Sequence, residues 1–278
     1  MKIKYFLSAL VLLFMVRSVQ AQLSSGIDYD CLIEPSVSVE LGSAVRGVAR
    51  EVNVKRGDTI REGDVLVELD SRVQRATVAL AKARSENTAE LESRRESLEL
   101  AKKRLARFRG LYESKNVSQQ QLEEAESQAV IAESDWQQAR ENKIFAELEL
   151  EEASAVLALR SITSPISGVV VDRLIAPGEL VSEEEPIMQL AVLDPLYVEV
   201  ILPASEFGTI EVDSAVLVHP ESPVSGEYRG RVDIVDPVID AASGSFGIRI
   251  ELPNPDLGLP AGLGCEVDFA VNGAALKS

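Results

Sequence analysis

The sequence predicts a multidomain α+β chain: a long antiparallel α-helical coiled-coil hairpin inserted into a split β-sandwich, followed by a small antiparallel β-barrel. Three observations predict it. A β-motif occurs twice, as Gly47–Asp58 and Gly168–Glu179, and the copies align without a gap, Gly57 with Gly178, Ile60 with Val181, Leu66 with Ile187 and Leu69 with Leu190. Between them lies a stretch, residues 72–159, with no proline and one glycine, Gly110. After Asp194-Pro195 come short alternating segments punctuated by Pro and Gly. One repeat at this separation is not a solenoid; it is two halves of one small domain with an insertion between them.

The chain opens with Lys2 and Lys4, an apolar run from Tyr5 to Val16, and small residues at Val19-Gln20-Ala21. The run is short for a membrane span and has the layout of a secretory signal, residues 1–21, cleaved after Ala21. An uncleaved anchor is the alternative. Residues 22–35 form an N-terminal segment. Cys31 follows Asp28-Tyr29-Asp30, which is no lipid-attachment box.

The first half-motif occupies 36–71 and the second 160–194. Alternation marks their strands, and Gly47, Gly57, Gly168 and Gly178 are read as turn glycines. Neither half has enough strands to close a sheet alone. Paired, they would bury Val52, Val54, Ile60, Leu66 and Leu69 against Val169, Val171, Leu174, Val181, Ile187 and Leu190.

The insertion, 72–159, is rich in strong helix formers. Its second half carries a sustained heptad, Leu122, Ala129, Trp136, Lys143, Leu150 and Leu157, with Ala125, Ala132, Ala139, Ala146 and Ala153 in the complementary row. Its first half repeats through Val73, Leu80, Asn87, Arg94, Ala101 and Phe108, beside Ala76 and Ala83, then Leu91, Leu98, Leu105 and Tyr112. That partner row shifts by one residue near Asn87, where the seam is weakest. Two helices of about forty residues make a hairpin roughly 60 Å long. Ser118 with Gln121 forms a capping box that starts the second helix after a turn around 114–118.

The barrel is expected over 195–272, from strands at 197–201, 215–219, 230–235, 245–252 and 264–271 with a short helix at 205–210, and a tail follows over 273–278. The apolar fraction of 46% supports real cores, and with 5% aromatics those cores are built from Val, Ile and Leu. Net charge is −17, and loss of Lys2, Lys4 and Arg17 with the signal takes three positive charges away, to −20. Such a chain repels phosphate backbones, so nucleic acid is not an expected partner. Cys31 and Cys265 near opposite ends are either a disulfide, which an oxidising compartment permits, or two buried thiols.

No catalytic, cofactor or metal site is expected. His219 is the only histidine and sits in a strand, no phosphate-loop pattern is present, and Cys31, Cys265 and His219 lack metal-ligand spacing. A carrier domain of the lipoyl or biotinyl type, the enzymatic alternative, needs a lysine at its turn. Leu69-Asp70-Ser71 and Gln189-Leu190-Ala191 offer none. A purely structural coiled-coil protein would not need the paired β-halves or the barrel.

The whole constellation resembles the periplasmic adaptors of tripartite efflux pumps, the membrane fusion proteins of the HlyD and resistance-nodulation-division families. The split sandwich is similar to their lipoyl-like domain, through Val45-Arg46-Gly47, residues 57–66 and residues 162–170. Residues 194–198, 252–255 and 259–264 resemble segments of their barrel. Arg107, Leu111 and Ser118 match the spacing of the family's tip motif, which docks onto a TolC-type outer-membrane channel. The resemblance implies an inner-membrane transporter as partner, proton-driven in preference to ATP-driven, a homo-oligomer of six copies, and periplasmic localisation, held at the inner membrane through the transporter. It implies no cofactor and no enzymatic activity. The family's further membrane-proximal domain, built from both chain ends, is expected to be absent or vestigial. Met188 is the only methionine after the signal, and copper-handling relatives use methionine-rich sites, so metal export is disfavoured.

Overall fold

The structure is a computed structural model and describes residues 29–269. The expected signal, residues 1–21, and the expected tail, 273–278, lie outside them. In chain order the elements are β1 (Tyr29–Leu41), β2 (Gly47–Val52), β3 (Thr59–Ile60), β4 (Val65–Leu69), α1 (Arg72–Glu86), α2 (Ala89–Glu113), α3 (Gln119–Ala158), β5 (Ser161–Thr163), β6 (Gly168–Arg173), β7 (Leu180–Val181), β8 (Met188–Pro203), β9 (Ala215–Pro220), β10 (Tyr228–Val235), β11 (Ser245–Leu252) and β12 (Gly264–Asp268). They form two compact units. One holds the described residues up to Val39, Ile166–Val171 and the chain from Gln189; the other holds Glu40–Pro165 and Asp172–Met188.

The first unit contains a six-stranded barrel, ordered β1-β12-β9-β10-β11-β8 and closed by pairing of β1 with β8. Alternation builds its core: Leu196, Val198, Val200 and Leu202 on β8, and Phe246, Ile248, Ile250 and Leu252 on β11, all point inward. The expectation of a barrel from 195–272 alone is corrected. Its sixth strand is β1, from the segment placed outside it. Tyr29, Cys31 and Ile33 alternate inward there, and Ile33 is fully buried in the barrel core. β12 pairs with β1 through four register positions from Tyr29↔Val267 to Leu32↔Gly264, and a disulfide joins the facing Cys31 and Cys265, with Cα atoms 4.9 Å apart.

Two smaller expectations also change. The helix at 205–210 is only a 3-10 turn at Ala204–Glu206, and β8 runs unbroken through Asp194-Pro195. Buried Asn254 explains the Pro-Asn-Pro stretch. Its side-chain amide donates to the Leu193 and Leu259 carbonyls, each at 2.9 Å, and its oxygen accepts from the Leu259 amide at 3.0 Å. A buried amide satisfied this way ties the segment after β11 to β8.

In the second unit strands from both half-motifs, though not β3 or β6, interleave in one four-stranded sheet, β5-β4-β2-β7. β2 of the first half pairs with β7 of the second, Gly47 opposite Val181. The repeat also holds at the level of single hydrogen bonds. Gly57 and Gly178 occupy left-handed conformations, with φ of 90° and 92°. Beside them the Asp58 and Glu179 carboxylates accept from the amides of Lys55 and Ala176, both at 2.8 Å. Gly47 and Gly168 are not turn residues, contrary to expectation. They open β2 and β6, where space rather than φ excludes a side chain. A Cβ at Gly47 would meet Leu69 and Arg160, and one at Gly168 would run into the Ala191 carbonyl.

Gly168→Ala is therefore expected to destabilise the protein by about 2–3 kcal/mol, because the obstacle is backbone and cannot swing aside. Gly42→Ala, where nothing lies within 4 Å, is the matched control. Equal denaturation midpoints for the two variants would refute the close approach.

The predicted burial of the half-motifs is correct for Ile60, Leu66, Leu69, Val181, Ile187 and Leu190 and out of phase in β6. There Val170 is buried and Val171 exposed, with Leu174 exposed just beyond. A one-residue slip reverses every side chain of a strand, and three consecutive valines, 169–171, carry no alternation to set the phase.

Candidate functional site at the hairpin tip

The insertion is a helical hairpin with unequal arms. α3 is a single helix of 40 residues, about 60 Å at 1.5 Å per residue. The first arm, expected as one helix, is two: α1 of 15 residues and α2 of 25. α3 packs along both. Every residue of its two predicted rows, from Leu122 to Leu157, is buried or half-buried. α2 follows its predicted rows at Leu91, Leu98, Ala101, Leu105 and Phe108. α1 does not. Its buried and half-buried positions are Gln74, Val78, Ala81 and Ser85, while Val73 is 72% and Leu80 54% exposed and Ala76 and Ala83 face solvent.

The junction that launches α1 is held from outside the helix. Asp70 accepts from the Arg72 amide at 3.1 Å and binds the Arg72 guanidinium at 2.7–3.1 Å. Those bonds lower the Asp70 pKa to about 2. Because the folded value is depressed, the stabilisation is present above the ordinary aspartate range and is lost as pH falls from about 4 toward 2. Arg72→Gln is expected to return Asp70 toward its ordinary titration, read by carboxyl NMR shifts; a midpoint still near 2 would refute the pairing.

At the far end α2 stops at Glu113. Lys115 takes a left-handed conformation, with φ of 58°. Its amide donates to the Tyr112 carbonyl at 2.9 Å, and the Asn116 amide to the Leu111 carbonyl at 2.8 Å. This is a Schellman closure. Three residues after Lys115, Ser118 starts α3 with a reciprocal capping box: Gln121 N–H donates to Ser118 Oγ at 3.3 Å, and Ser118 N–H to Gln121 Oε1 at 3.0 Å. Both helix ends are thus satisfied inside a turn of a few residues, so the tip is a defined surface.

Arg107 and Leu111 lie four apart on α2 and so share one face just before that turn. Arg107 is exposed, and Leu111 is 36% exposed despite being apolar. Neighbouring charges behave differently. Arg109 pairs across the hairpin with Glu126 at 3.2 Å, Lys102 with Glu133 at 2.7 Å and Arg94 with Asp135 at 3.1 Å. Among the described residues Arg107 forms no such pair. Ser118 is engaged in its cap, so its first role is to shape the turn. The lone charged member of the α3 heptad, Lys143, is also a structural participant: it pairs with Glu147 at 2.9 Å and donates to the Ser85 carbonyl.

A family profile described as "CzcB-like, barrel-sandwich hybrid domain" matches residues 38–192, over half of the chain and including the hairpin. A second, "CusB-like, beta-barrel domain", matches residues 195–273. This chain belongs to the membrane fusion protein family. Among its relatives is "Multidrug efflux pump subunit AcrA" of Escherichia coli K12, 26% identical over 238 residues, covering 81% of this chain and 57% of that protein. Another is "Antibiotic efflux pump periplasmic linker protein ArpA" of Pseudomonas putida, 25% identical over 240 residues, with the same coverage. The chain thus spans a little over half the length of these relatives. Among solved structures, MacA from Actinobacillus actinomycetemcomitans superposes with a TM-score of 0.75 at 26% identity, covering 87% of this chain and 77% of MacA. The membrane fusion protein Spr0693 of Streptococcus pneumoniae R6 shares the fold at 14% identity, TM-score 0.60. Among the described residues of this membrane fusion protein, no helix is long and apolar enough to cross a membrane.

Proposed function

We propose that this chain is the periplasmic adaptor of a tripartite efflux pump. It links an inner-membrane transporter, of the resistance-nodulation-division type in preference to an ATP-driven one, to a TolC-type outer-membrane channel. The observation that carries the proposal is the continuous match of sandwich, hairpin and barrel to the membrane fusion family, in the order that family uses. The efflux relatives AcrA and ArpA support the same reading.

The mechanism is coupling rather than catalysis. The hairpin is a coiled-coil arm of about 60 Å on a lipoyl-like base, and six copies side by side would form a sealed conduit. At its tip Arg107 presents a planar fork of donors suited to carboxylates and carbonyls at facing helix ends. Leu111 adds an apolar contact, and Ser118 holds the turn that aligns them. The transporter supplies the energy and selects the exported compound. A secretory signal ending at Ala21 delivers the chain to the periplasm, where the oxidising environment suits the Cys31–Cys265 bond.

The test is crosslinking in the native host from a photoreactive residue at position 111, with a second at Val238, which is 75% exposed on the barrel. The expected products are an outer-membrane channel from the first site and an inner-membrane transporter from the second. Capture of an ATP-driven transporter would replace the favoured partner, and no channel product from position 111 would overturn the docking assignment.

A further inference from the structure

The first arm breaks at Asn87-Thr88 without proline or glycine. Asn87 is extended, with φ −77° and ψ 110°, and its side chain accepts from the Ala89 amide at 3.1 Å, in competition with helix continuation. The packing seam changes step across the break. Continuing the α1 spacing of 74, 78, 81 and 85 would bury 92, 95 and 99; α2 instead packs through Leu91, Leu98 and Ala101. α3 does not break. It passes the discontinuity at Lys143, the one charged residue in a row otherwise filled by Leu, Ala and Trp. The Lys143 side chain is only 20% exposed, and its ammonium donates to the Ser85 carbonyl. Ser85 is itself buried at 5% and sits in the last turn of α1, where carbonyls lack helical partners. A cation there is favoured by both the hydrogen bond and the helix dipole. The buried apolar cluster of the outer half, around Leu98, Ala101, Ala129 and Ala132, does not reach this level.

We infer that residues 85–89 and Lys143 form a joint within the arm, in which Lys143 clips the end of α1 to the continuous helix α3. With the clip closed, α1 and α2 hold one line. With it open, the outer half, α2 with the start of α3, swings relative to the base half by bending α3 near Lys143. Two packed segments with a polar layer between them open locally more easily than a continuous apolar seam. On the adaptor reading, such a joint lets the tip follow its channel while the base stays seated. The clip itself stands on the geometry alone, and its test needs neither channel nor transporter.

The experiment is a spin-label distance measurement on the full chain. Labels go at Ala79→Cys and Glu99→Cys, both exposed and on either side of the break. They lie about 30 Å apart along the arm at 1.5 Å per residue. Cys31 and Cys265 are bonded to each other, so only the introduced thiols react. Lys143→Ala places in the row the residue already found there at Ala129, so α3 is undisturbed. It is expected to broaden the distance distribution roughly twofold, with helix content unchanged by circular dichroism. Lys143→Arg, which keeps the cation, is expected to retain the narrow distribution. An unchanged distribution in the alanine variant overturns the joint, as does equal broadening in the arginine variant. If the alanine variant loses helix content, Lys143→Gln carries the same test.

Discussion

On the proposed adaptor function, Arg107→Asp is expected to abolish crosslinking to the outer-membrane channel and to return drug sensitivity to that of a strain without this chain. The folded chain should be unaffected. Arg107 is exposed and takes no part in the ion pairs that set the α2–α3 register, which run through Arg94, Lys102 and Arg109. An aspartate at that position would have Lys103 and Arg104 one turn back on the same helix, so reversal adds no like-charge repulsion there. Surface changes of this kind usually shift stability by no more than about 0.5 kcal/mol. At an interface the same change removes a fork of donors and places a carboxylate against acceptors. Hot-spot losses begin near 2 kcal/mol, about thirtyfold in affinity. Arg95→Asp, twelve residues before the tip residue, is the control that should leave docking intact. Unchanged drug sensitivity in the Arg107 variant, with normal protein levels, would sink the docking claim.

Removing the disulfide is expected to have the largest effect on stability. Cys31 and Cys265 are 234 residues apart in sequence and face each other in the β1–β12 ladder. A cross-link closing so long a loop restricts the unfolded chain strongly, and loss of a native disulfide typically costs about 2–5 kcal/mol. Here it also holds β1, which carries Ile33 into the barrel core. The paired variant Cys31→Ala with Cys265→Ala should lower the barrel's denaturation midpoint and speed amide exchange in β1 and β12 ahead of β10 and β11. Identical midpoints would refute the stabilising role, and a non-reducing mass two daltons heavier than the disulfide form would refute the bond.

Much of this architecture is legible in the sequence. The α3 heptad was read residue by residue because alanines alternate there with large apolar residues, and only one stripe of the helix can be the seam. The capping box at Ser118 was equally plain, since it depends on two residues three apart. The buried face of α1 is not legible in the sequence, because alanines and Val or Leu lie on several of its faces. Which stripe is buried depends on the step change at Asn87-Thr88 and on Lys143 across the seam, both features of a partner helix far away in sequence. The place of β1 in the barrel is not legible in the sequence, although Tyr29, Cys31 and Ile33 alternate. Its other neighbours in the barrel come from the far end of the chain, so no local hairpin pointed to it.

Taken alone, the sequence determined the order of parts: a repeated β-motif, a helical arm between its copies, a barrel after them, and a tip whose residues match an adaptor motif. Those properties rest on local spacing, turn chemistry and helix propensity, which act within a few residues. Only the tertiary structure decided that β1 completes the barrel and that Gly168 is dictated by a neighbouring backbone. The same holds for the phase of β6, and for the break in the first arm at Asn87-Thr88, opposite Lys143. Each of these depends on which distant surface a segment meets, and that is set by packing between elements rather than by the pattern within any one of them.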